Sequence, residues 1–227
     1  MKATYLAGAL ATLALMVPAA AQAGAPDGKV QIKLLATGVL PDGKIASVKS
    51  NALGANAATQ TAASDNWVPT AAIEYFVSPN ISVETICCFT SHHVNGTAGS
   101  VAGRNNLIDN IMILPATVTV KAHATGLGPI KPYIGAGPSY FIVLDSKVGP
   151  GGTAIGATSA NVKSKVGFAL QAGVDIAVND QGLGISLDAK RYWIKPLATF
   201  YVGSTEVLRT RHDLDPWVIS AGLTYRF

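Results

Sequence analysis

Three side chains near the middle of the sequence are of the types that perform hydrolysis. Ser91 is followed directly by His92 and His93, and a serine activated by a histidine base is a common nucleophile. A catalytic triad also needs a third group that orients the histidine, and no such group has a defined spacing to this pair. The sequence favours a solvated loop and predicts that the chain is not an enzyme. A lipid-modifying enzyme remains an alternative.

Two glutamates also have the arrangement of a catalytic pair. Glu74 and Glu84 lie on either side of a tight turn, so a hairpin would bring their carboxylates close together. Paired carboxylates can act as acid and base. Because Lys33, Lys121 and Arg226 are available to neutralise them, the sequence favours a structural network of ion pairs instead.

Neither the cysteines nor the glycine-rich segments indicate a cofactor. Cys87 and Cys88 would point to opposite faces of a strand, so a disulfide between them would strain the backbone, and they lack the spacing of metal ligands. We interpret them as small apolar strand residues. The glycine-rich segment 149–152 lacks the Lys-Ser/Thr pair of a phosphate-binding loop. We therefore expect no cofactor and no metal.

The elements that position these residues are alternating strands. In the last twelve residues, 216–227, every second residue from Trp217 to Phe227 is apolar, and the other face is small or polar. A strand that crosses a bilayer needs about 9–11 tilted residues with aromatic side chains at both interfaces. This segment has that length and those aromatic ends, so the sequence predicts a membrane-spanning strand.

Eight segments of this kind are separated by turn signals. They are residues 29–40, 67–77, 81–91, 110–122, 131–143, 163–178, 183–193 and 216–227. The connections alternate between long and short, as in a barrel with long extracellular loops and short periplasmic turns. The sequence thus predicts an all-β fold, an eight-stranded antiparallel up-and-down transmembrane β-barrel. A soluble calyx of the lipocalin kind shares this meander, but strand faces without charge favour contact with lipid.

The N-terminus and the composition indicate the compartment. Lys2 precedes an uncharged apolar run that ends near Ala21-Gln22-Ala23, so we predict a cleaved signal peptide at residues 1–23 and the barrel at residues 24–227. Charged residues make up only 13% of the chain, and the formal net charge is +4. This balance, without a basic helix, predicts no nucleic-acid partner. We expect the outer membrane of a Gram-negative bacterium, with outer-membrane lipid and lipopolysaccharide around the barrel.

Several short motifs, taken in order, resemble a known family. They are Trp67-Val68-Pro69-Thr70, Glu74-Tyr75-Phe76 with Pro79-Asn80-Ile81-Ser82-Val83-Glu84, Leu114-Pro115-Ala116-Thr117, Lys131-Pro132-Tyr133-Ile134-Gly135-Ala136-Gly137, Leu170-Gln171-Ala172-Gly173-Val174-Asp175, and Asp215-Pro216-Trp217 with Tyr225-Arg226-Phe227. The ordered set covers essentially the whole mature chain and is similar to the outer membrane protein W family, which includes the alkane-uptake protein AlkL. The resemblance implies an eight-stranded outer-membrane barrel, passive uptake of small hydrophobic molecules, and presentation of the C-terminal strand to the outer-membrane assembly machinery. Cys87, Cys88 and Pro138 depart from the family pattern.

Placing the charged residues inside divides the predicted lumen into two halves. In the periplasmic half, opposite charges should pair in a narrow lumen of low dielectric and close it. This network comprises Lys33, Glu74, Glu84, Lys121, Asp175, Asp188, Lys190 and Arg226. The extracellular half becomes an apolar cup, open to the outside, that suits a hydrophobic ligand. The cup comprises Leu35, Val39, Val68, Ile86, Ile111, Ile113, Phe141, Val143, Tyr192 and Val218.

A ligand in this cup could not continue straight through a plug of paired charges, so it would have to leave sideways into the bilayer. Proline removes a hydrogen-bond donor from a strand ladder. Pro115 and Pro138 lie within neighbouring strands, at the same expected height, and we interpret them as a lateral portal. Pro69 would weaken another strand separately. The alternative is that these prolines only mark bulges.

Together these patterns predict a barrel that gives small hydrophobic molecules passive passage across the outer membrane. The alternative is a structural or surface-interaction barrel, a receptor or adhesin without transport, whose external loops contact a host, a phage or a neighbouring protein.

Overall fold

The computed structural model describes residue 25 and residues 27–227, so the predicted signal peptide lies outside the described residues. Within them, no helix is long and apolar enough to cross a membrane. Strands make up most of the described residues, which also contain one short helix, α1 (Pro150–Ala154), and a 3-10 turn at Gly99–Val101. The strands are β1 (Val30–Leu40), β2 (Lys44–Asn51), β3 (Gln60–Ala63), β4 (Asn66–Ser78), β5 (Ile81–Cys87), β6 (Thr90–Ala98), β7 (Ile108–His123), β8 (Ile130–Val148), β9 (Ser159–Val162), β10 (Lys165–Ala177), β11 (Leu183–Trp193), β12 (Leu197–Val202), β13 (Thr205–Asp213) and β14 (Trp217–Arg226).

Eight of these strands close into an antiparallel barrel. The order around the barrel is β1-β4-β5-β7-β8-β10-β11-β14, and β14 pairs back with β1. The closing register places Lys33 opposite Thr224 and Leu40 opposite Trp217. Closure leaves no strand of the wall with a free edge, which a bilayer requires. The predicted eight-stranded barrel is confirmed.

The outer surface of the barrel is apolar. Large side chains that alternate with the lumen residues are strongly exposed, for example Leu34 at 66%, Ile134 at 68% and Val166 at 66%. An exposed apolar belt of this extent would drive association in water. Trp193 and Trp217 mark its extracellular edge, as aromatic girdles do in outer-membrane barrels. The belt is therefore the surface that meets lipid.

The extracellular connections differ from the sequence prediction. Segments 41–65, 92–108, 145–162 and 194–215, expected to be loops, contain further strands. A four-stranded sheet with the order β2-β13-β12-β9 forms above the barrel, and β6 joins β3 to the upper part of β7. The prediction of loops was wrong because these strands pair over long sequence separations, such as Asn51 with Leu208, which local pattern does not reveal.

The third predicted strand, 81–91, is interrupted. β5 ends at Cys87 and β6 begins at Thr90. β5 pairs with β7 up to Ile86 opposite Thr117, and β6 resumes the pairing at Thr90 opposite Ile113. The interruption therefore lies opposite Pro115, which supplies no backbone N–H.

Candidate functional site

Polar side chains from seven barrel strands meet in the periplasmic half of the lumen. We call this cluster the floor; its charged members are Lys33, Glu74, Glu84, Lys121, Asp175, Asp188 and Lys190. Lys33 on β1 is its centre: Nζ lies 2.9 Å from Oε2 of Glu74, 3.2 Å from Oε2 of Glu84 and 3.1 Å from Oδ2 of Asp175. The side chains of Lys33 and Glu74 are 1% and 0% exposed. Charges withdrawn so completely from water are tolerated only when they are paired and hydrogen-bonded.

Two more lysines extend the floor across the barrel. Nζ of Lys121 lies 2.7 Å from Oε2 of Glu74 and 3.0 Å from Oε2 of Glu84. Nζ of Lys190 lies 3.0 Å from Oε1 of Glu84 and 2.7 Å from Oδ1 of Asp188. Glu84 thus contacts three ammonium groups, and seven of the eight charges that the sequence proposed lie in one connected cluster.

The eighth predicted charge, Arg226, lies below the cluster. Its guanidinium carbon is 3.5 Å from the ring centroid of Phe76, and its Nε donates a 2.6 Å hydrogen bond to the carbonyl of Gly28. It forms no salt bridge with a carboxylate in the described part of the chain. Because β14 ends at Arg226, its side chain reaches the periplasmic rim rather than the buried carboxylates.

Uncharged side chains satisfy the remaining lone pairs of the floor. Nε2 of Gln171 donates to Glu84 at 2.9 Å and to Asp188 at 2.6 Å, and its carbonyl accepts a 2.7 Å bond from Thr119. Ser186 donates to Asp175 at 2.6 Å. A polar network that is satisfied in this way is rigid and specific, so it closes the straight route through the barrel.

Sequence reasoning missed two members of the floor, Tyr133 and His123. The Tyr133 hydroxyl donates to Asp188 at 2.8 Å, and Nζ of Lys121 lies 3.6 Å from the Tyr133 ring centroid. Nε2 of His123 lies 2.9 Å from Oε1 of Glu74. Both residues have inward strand parity, which was the available signal.

Gly173 makes room for Tyr133. A Cβ at Gly173 would lie 2.4 Å from the Tyr133 hydroxyl oxygen and 2.5 Å from the ring carbon that bears it. Any side chain on this rung of β10 would therefore displace the ring from the lysines. The cation–π contact of Tyr133 depends on a glycine in the neighbouring strand, and strand parity alone cannot show this.

Glu74, His123 and Asp175 offer ligand atoms that lie within 4.8 Å of one another. Such a group has the composition of a metal site. However, the ammonium of Lys33 contacts both carboxylates, and that of Lys121 contacts Glu74. A divalent cation would face these two positive charges at close range, so the chemistry of the cluster favours ion pairing.

Above the floor the lumen is apolar, as the sequence proposed. Every predicted cup residue has an inward position, and most are buried in one hydrophobic cluster. That cluster includes Val39, Ile111, Ile113, Phe141, Tyr192 and Val218, with Val68 and Val143 packed against it. Ile86 borders the same space, whereas Leu35 lies lower, outside the cluster.

The cup encloses two small cavities. The upper one has a volume of about 50 Å³ and is bordered by Ile111, Ile113, Phe141 and Val143. The lower one has a volume of about 20 Å³ and is bordered by Ile86 and Tyr192, among others. Ligand pockets of drug size measure about 300–1,000 Å³. A hydrophobic molecule would therefore have to displace side chains or the extracellular strands on entering.

The extracellular strands cover the cup with residues that sequence reasoning had assigned to loops. Ile194, Ala198, Phe200 and Leu208 are buried in the same hydrophobic cluster. The extracellular strands therefore cover most of the cup, which the sequence had predicted to be open to the outside. This roof consists of short strands and connections, which is the part of a barrel that varies and moves most readily.

Two histidines of the extracellular region also border the upper cavity. Nδ1 of His212 lies 3.1 Å from the carbonyl oxygen of Gly43, and Nδ1 of His92 lies 2.6 Å from the carbonyl oxygen of Ser64. Burial lowers the pKa of both imidazoles below the ordinary histidine value, because it disfavours the charged form. Each ring is thus held as a neutral part of the cavity wall.

The residues with hydrolase chemistry do not form a nucleophile and base. The Ser91 hydroxyl donates to Oδ1 of Asn110 at 2.6 Å, away from both neighbouring histidines. Nδ1 of His93 lies 2.5 Å from Oδ1 of Asp109, and His92 turns into the lumen. Cys87 is exposed on the outer face and Cys88 is buried on the inner face, and both thiols are free. The opposite faces agree with the prediction, but Cys88 lies in the interruption between β5 and β6 and not in a strand, so the prediction of two strand residues was wrong for Cys88.

The wall has irregular seams at both predicted portal prolines, but not at one height. Pro115 lies opposite Phe141, and the register places Pro138 beside Val118, three residues lower. The expectation of equal height was wrong because the turn between β7 and β8 sets a different register. Pairing of β7 with β8 runs from Thr117 to Val120 without the two positions between them, so the ladder is interrupted at Pro138.

The seam at Pro115 lies beside the cup. Pro115 is buried on the inner face and borders the lower cavity together with Cys88 and Thr90. β4 pairs with β5 only as far as Ala71 opposite Cys87. The wall around Cys88 therefore has incomplete pairing on both sides.

Comparison with known proteins places this architecture in a family. The model of the OmpW family matches residues 26–227. The chain is 32% identical to an uncharacterized outer-membrane protein of Sinorhizobium fredii, over 72% of this chain and 67% of that protein. It is 29% identical to the dibenzothiophene metabolism operon protein PahQ of Pseudomonas aeruginosa, over 73% and 74% of the two chains.

Solved structures show the same fold. The crystal structure of the outer membrane protein OprG from Pseudomonas aeruginosa superposes with a TM-score of 0.77 at 22% identity, over 90% of this chain and 98% of that one. Together with the family match over nearly the whole described chain, this establishes that the protein belongs to the OmpW family of outer-membrane β-barrels.

Proposed function

We propose that this barrel gives small hydrophobic molecules passive passage across the outer membrane, without catalysis. The observation that carries the proposal is the division of the lumen into an apolar cup above and a sealed, charge-paired floor below. A polar or ionic solute gains nothing from the cup and meets a closed floor. A hydrophobic solute gains from leaving water for the cup and does not need the floor.

The name of one relative supports the class of solute. PahQ belongs to an operon for the metabolism of dibenzothiophene, a polycyclic aromatic sulfur compound. We propose that this chain likewise serves hydrophobic, ring-containing or aliphatic compounds small enough for an eight-stranded lumen.

We propose that the exit is lateral, between β5/β6 and β7, beside Pro115 and Cys88. This seam borders the lower cavity, and it lacks one backbone hydrogen-bond donor because proline has no N–H. The exposed Phe89 places it near the upper edge of the apolar belt, so a solute would emerge among the acyl chains of the outer leaflet. Pro138 forms a second candidate opening lower in the wall. The surrounding partners would be outer-membrane lipid and lipopolysaccharide, and β14 would be the strand presented to the assembly machinery.

The test is uptake of dibenzothiophene and of a linear alkane by cells with and without the gene, and by cells expressing single variants. Pro115→Val restores a backbone donor in the seam and should lower uptake several-fold. Pro138→Val separates the two candidate openings. Pro129→Val, in the periplasmic turn before β8, is the matched control. Unchanged uptake in both the Pro115 and the Pro138 variants would exclude the lateral exit, and equal uptake with and without the gene would exclude transport.

A second function is favoured by the ordered extracellular sheet β2-β13-β12-β9, whose edge strand β2 is largely exposed. This sheet would bind a host, a phage or a neighbouring protein. Two results together would assign the sheet a role separate from passage. Cells without the gene would lose uptake, and cells in which a short glycine linker replaces residues 44–51 would retain it.

A further inference from the structure

The upper cavity has a charged side that the floor-and-cup division does not explain. Lys163 and Lys165 border it, and no aspartate or glutamate does. The other lining residues are apolar or small, apart from His92 and His212, which burial keeps neutral. The cavity is therefore an apolar space with a positive edge.

The backbone that carries these lysines is fixed on both sides. The amide of Lys163 donates a 3.0 Å hydrogen bond to the carbonyl of Leu197, and the hydroxyl of Ser164 accepts a 3.0 Å bond from the amide of Val143. Lys165 begins β10, opposite Phe141. Lys163 lies in the short connection between β9 and β10, Lys165 is the first residue of β10, and both border the upper cavity.

The lysine side chains are exposed although they line the cavity. This arrangement is typical of a long basic side chain whose aliphatic stem covers an apolar surface while its ammonium stays in water. The two ammonium groups thus mark the aqueous mouth of the cavity, and the apolar interior begins behind them.

Neither lysine forms a salt bridge with any acid in the part of the chain that the structure describes. Three acids of the extracellular region have other partners. Asp145 pairs with Lys147 at 3.3 Å, Asp213 pairs with Lys195 at 3.1 Å, and Oδ1 of Asp215 accepts the amide of Ile194 at 2.7 Å. The positive charge at the cavity mouth is therefore left for a group from outside the protein.

We propose that the cup binds amphiphiles with an anionic head, such as medium-chain or aromatic carboxylates, with the carboxylate at Lys163 and Lys165 and the apolar body in the cavity. This rests on the proposed function insofar as the cup is the entry site. It adds that carboxylates are preferred over neutral molecules of the same apolar shape, because only they use the charged mouth.

The test measures equilibrium binding of decanoate and of decanol to the purified barrel in nanodiscs of zwitterionic lipid. The variant Lys163→Gln/Lys165→Gln should weaken decanoate binding by about two- to fivefold per lysine, the range for exposed ion pairs, and leave decanol unchanged. The decanoate effect should shrink at high salt. Lys49→Gln removes an exposed lysine of β2 that does not border the cavity and is the matched control.

Equal loss of decanoate and decanol binding in the double variant would overturn the inference, because it would show a packing effect instead of charge recognition. Unchanged decanoate binding would also overturn it. Uptake of the same two probes is measured separately in cells. Wild-type binding that prefers decanoate, without uptake of either probe, would exclude passage and retain the anionic site.

Discussion

The two halves of the lumen are built from the same eight strands but follow opposite rules. In the floor, four carboxylates and three lysines satisfy one another, and almost every polar atom has a partner. In the cup, aliphatic and aromatic side chains pack loosely enough to leave two cavities. The floor cannot lose one group without stranding several others. The cup can lose or shift a methyl group at modest cost, and the proposed entry of hydrophobic solutes would require this tolerance.

The largest expected effect tests the interdependence of the floor. Glu84→Gln removes the carboxylate that contacts Lys33, Lys121 and Lys190. Stranding a buried charge costs about 3–5 kcal/mol, so we expect the free energy of unfolding of the barrel in lipid vesicles to fall by about that amount. Urea titration followed by tryptophan fluorescence measures it.

The control for this variant is Glu206→Gln in the extracellular region, where the glutamate pairs with Arg209 nearer the solvent. Pairs of this kind contribute about 1 kcal/mol or less. Similar losses for Glu84→Gln and Glu206→Gln would show that the floor is no more interdependent than the surface.

A smaller effect comes from a single hydroxyl in the floor. Thr119→Val keeps the side-chain shape but removes the 2.7 Å donor to Oε1 of Gln171. An unsatisfied buried acceptor costs about 1–3 kcal/mol, and the same urea titration should show that loss. Thr85→Val, on the exposed outer face of β5, is the matched control and should be neutral. A floor that tolerates Thr119→Val would have to be hydrated, contrary to its burial.

How far the sequence predicts this contrast depends on the residue. Lys33, Glu74 and Asp175 could be assigned to the floor because a period of two fixes which face each side chain occupies. The same period placed Ile113 and Phe141 in the cup. Tyr133 was not predicted as a floor residue because its role requires the space left by Gly173 in the next strand. The strands of the roof were not predicted because β2 and β13 pair across about 160 residues of chain, and no local pattern encodes such a partner.

In the cup, a comparable truncation should cost less stability and leave function intact. Ile113 borders both cavities, and Ile113→Val should lower the free energy of unfolding by about 0.5–1.5 kcal/mol. Uptake of a hydrophobic probe should stay the same or rise, since the cavity grows. A fall in uptake that exceeds the fall in folded protein would mean that close packing, rather than space, limits entry.

The smallest expected effect is the pH dependence of the stability of the roof, and its direction follows from the two buried histidines. Burial lowers the pKa of His92 and His212 in the folded state, while both would titrate near 6.5 in an opened segment. Asp65 and Asp213 oppose the shift without reversing it. Above about pH 6.5 both states are neutral and the roof has its full stability. As the pH falls below that value, the opened state binds protons first, so opening becomes easier.

Hydrogen exchange of the β6 and β13 amides, corrected for intrinsic rates, should therefore show more opening at pH 5 than at pH 7.5. The increase should shrink in His212→Gln and in His92→Gln but persist in His93→Gln, whose imidazole is partly exposed beside Asp109. Because the roof covers the cup and does not contact the floor, the change should be confined to the extracellular strands. An equal increase in β1 and β11 would mean that the two halves of the lumen open together.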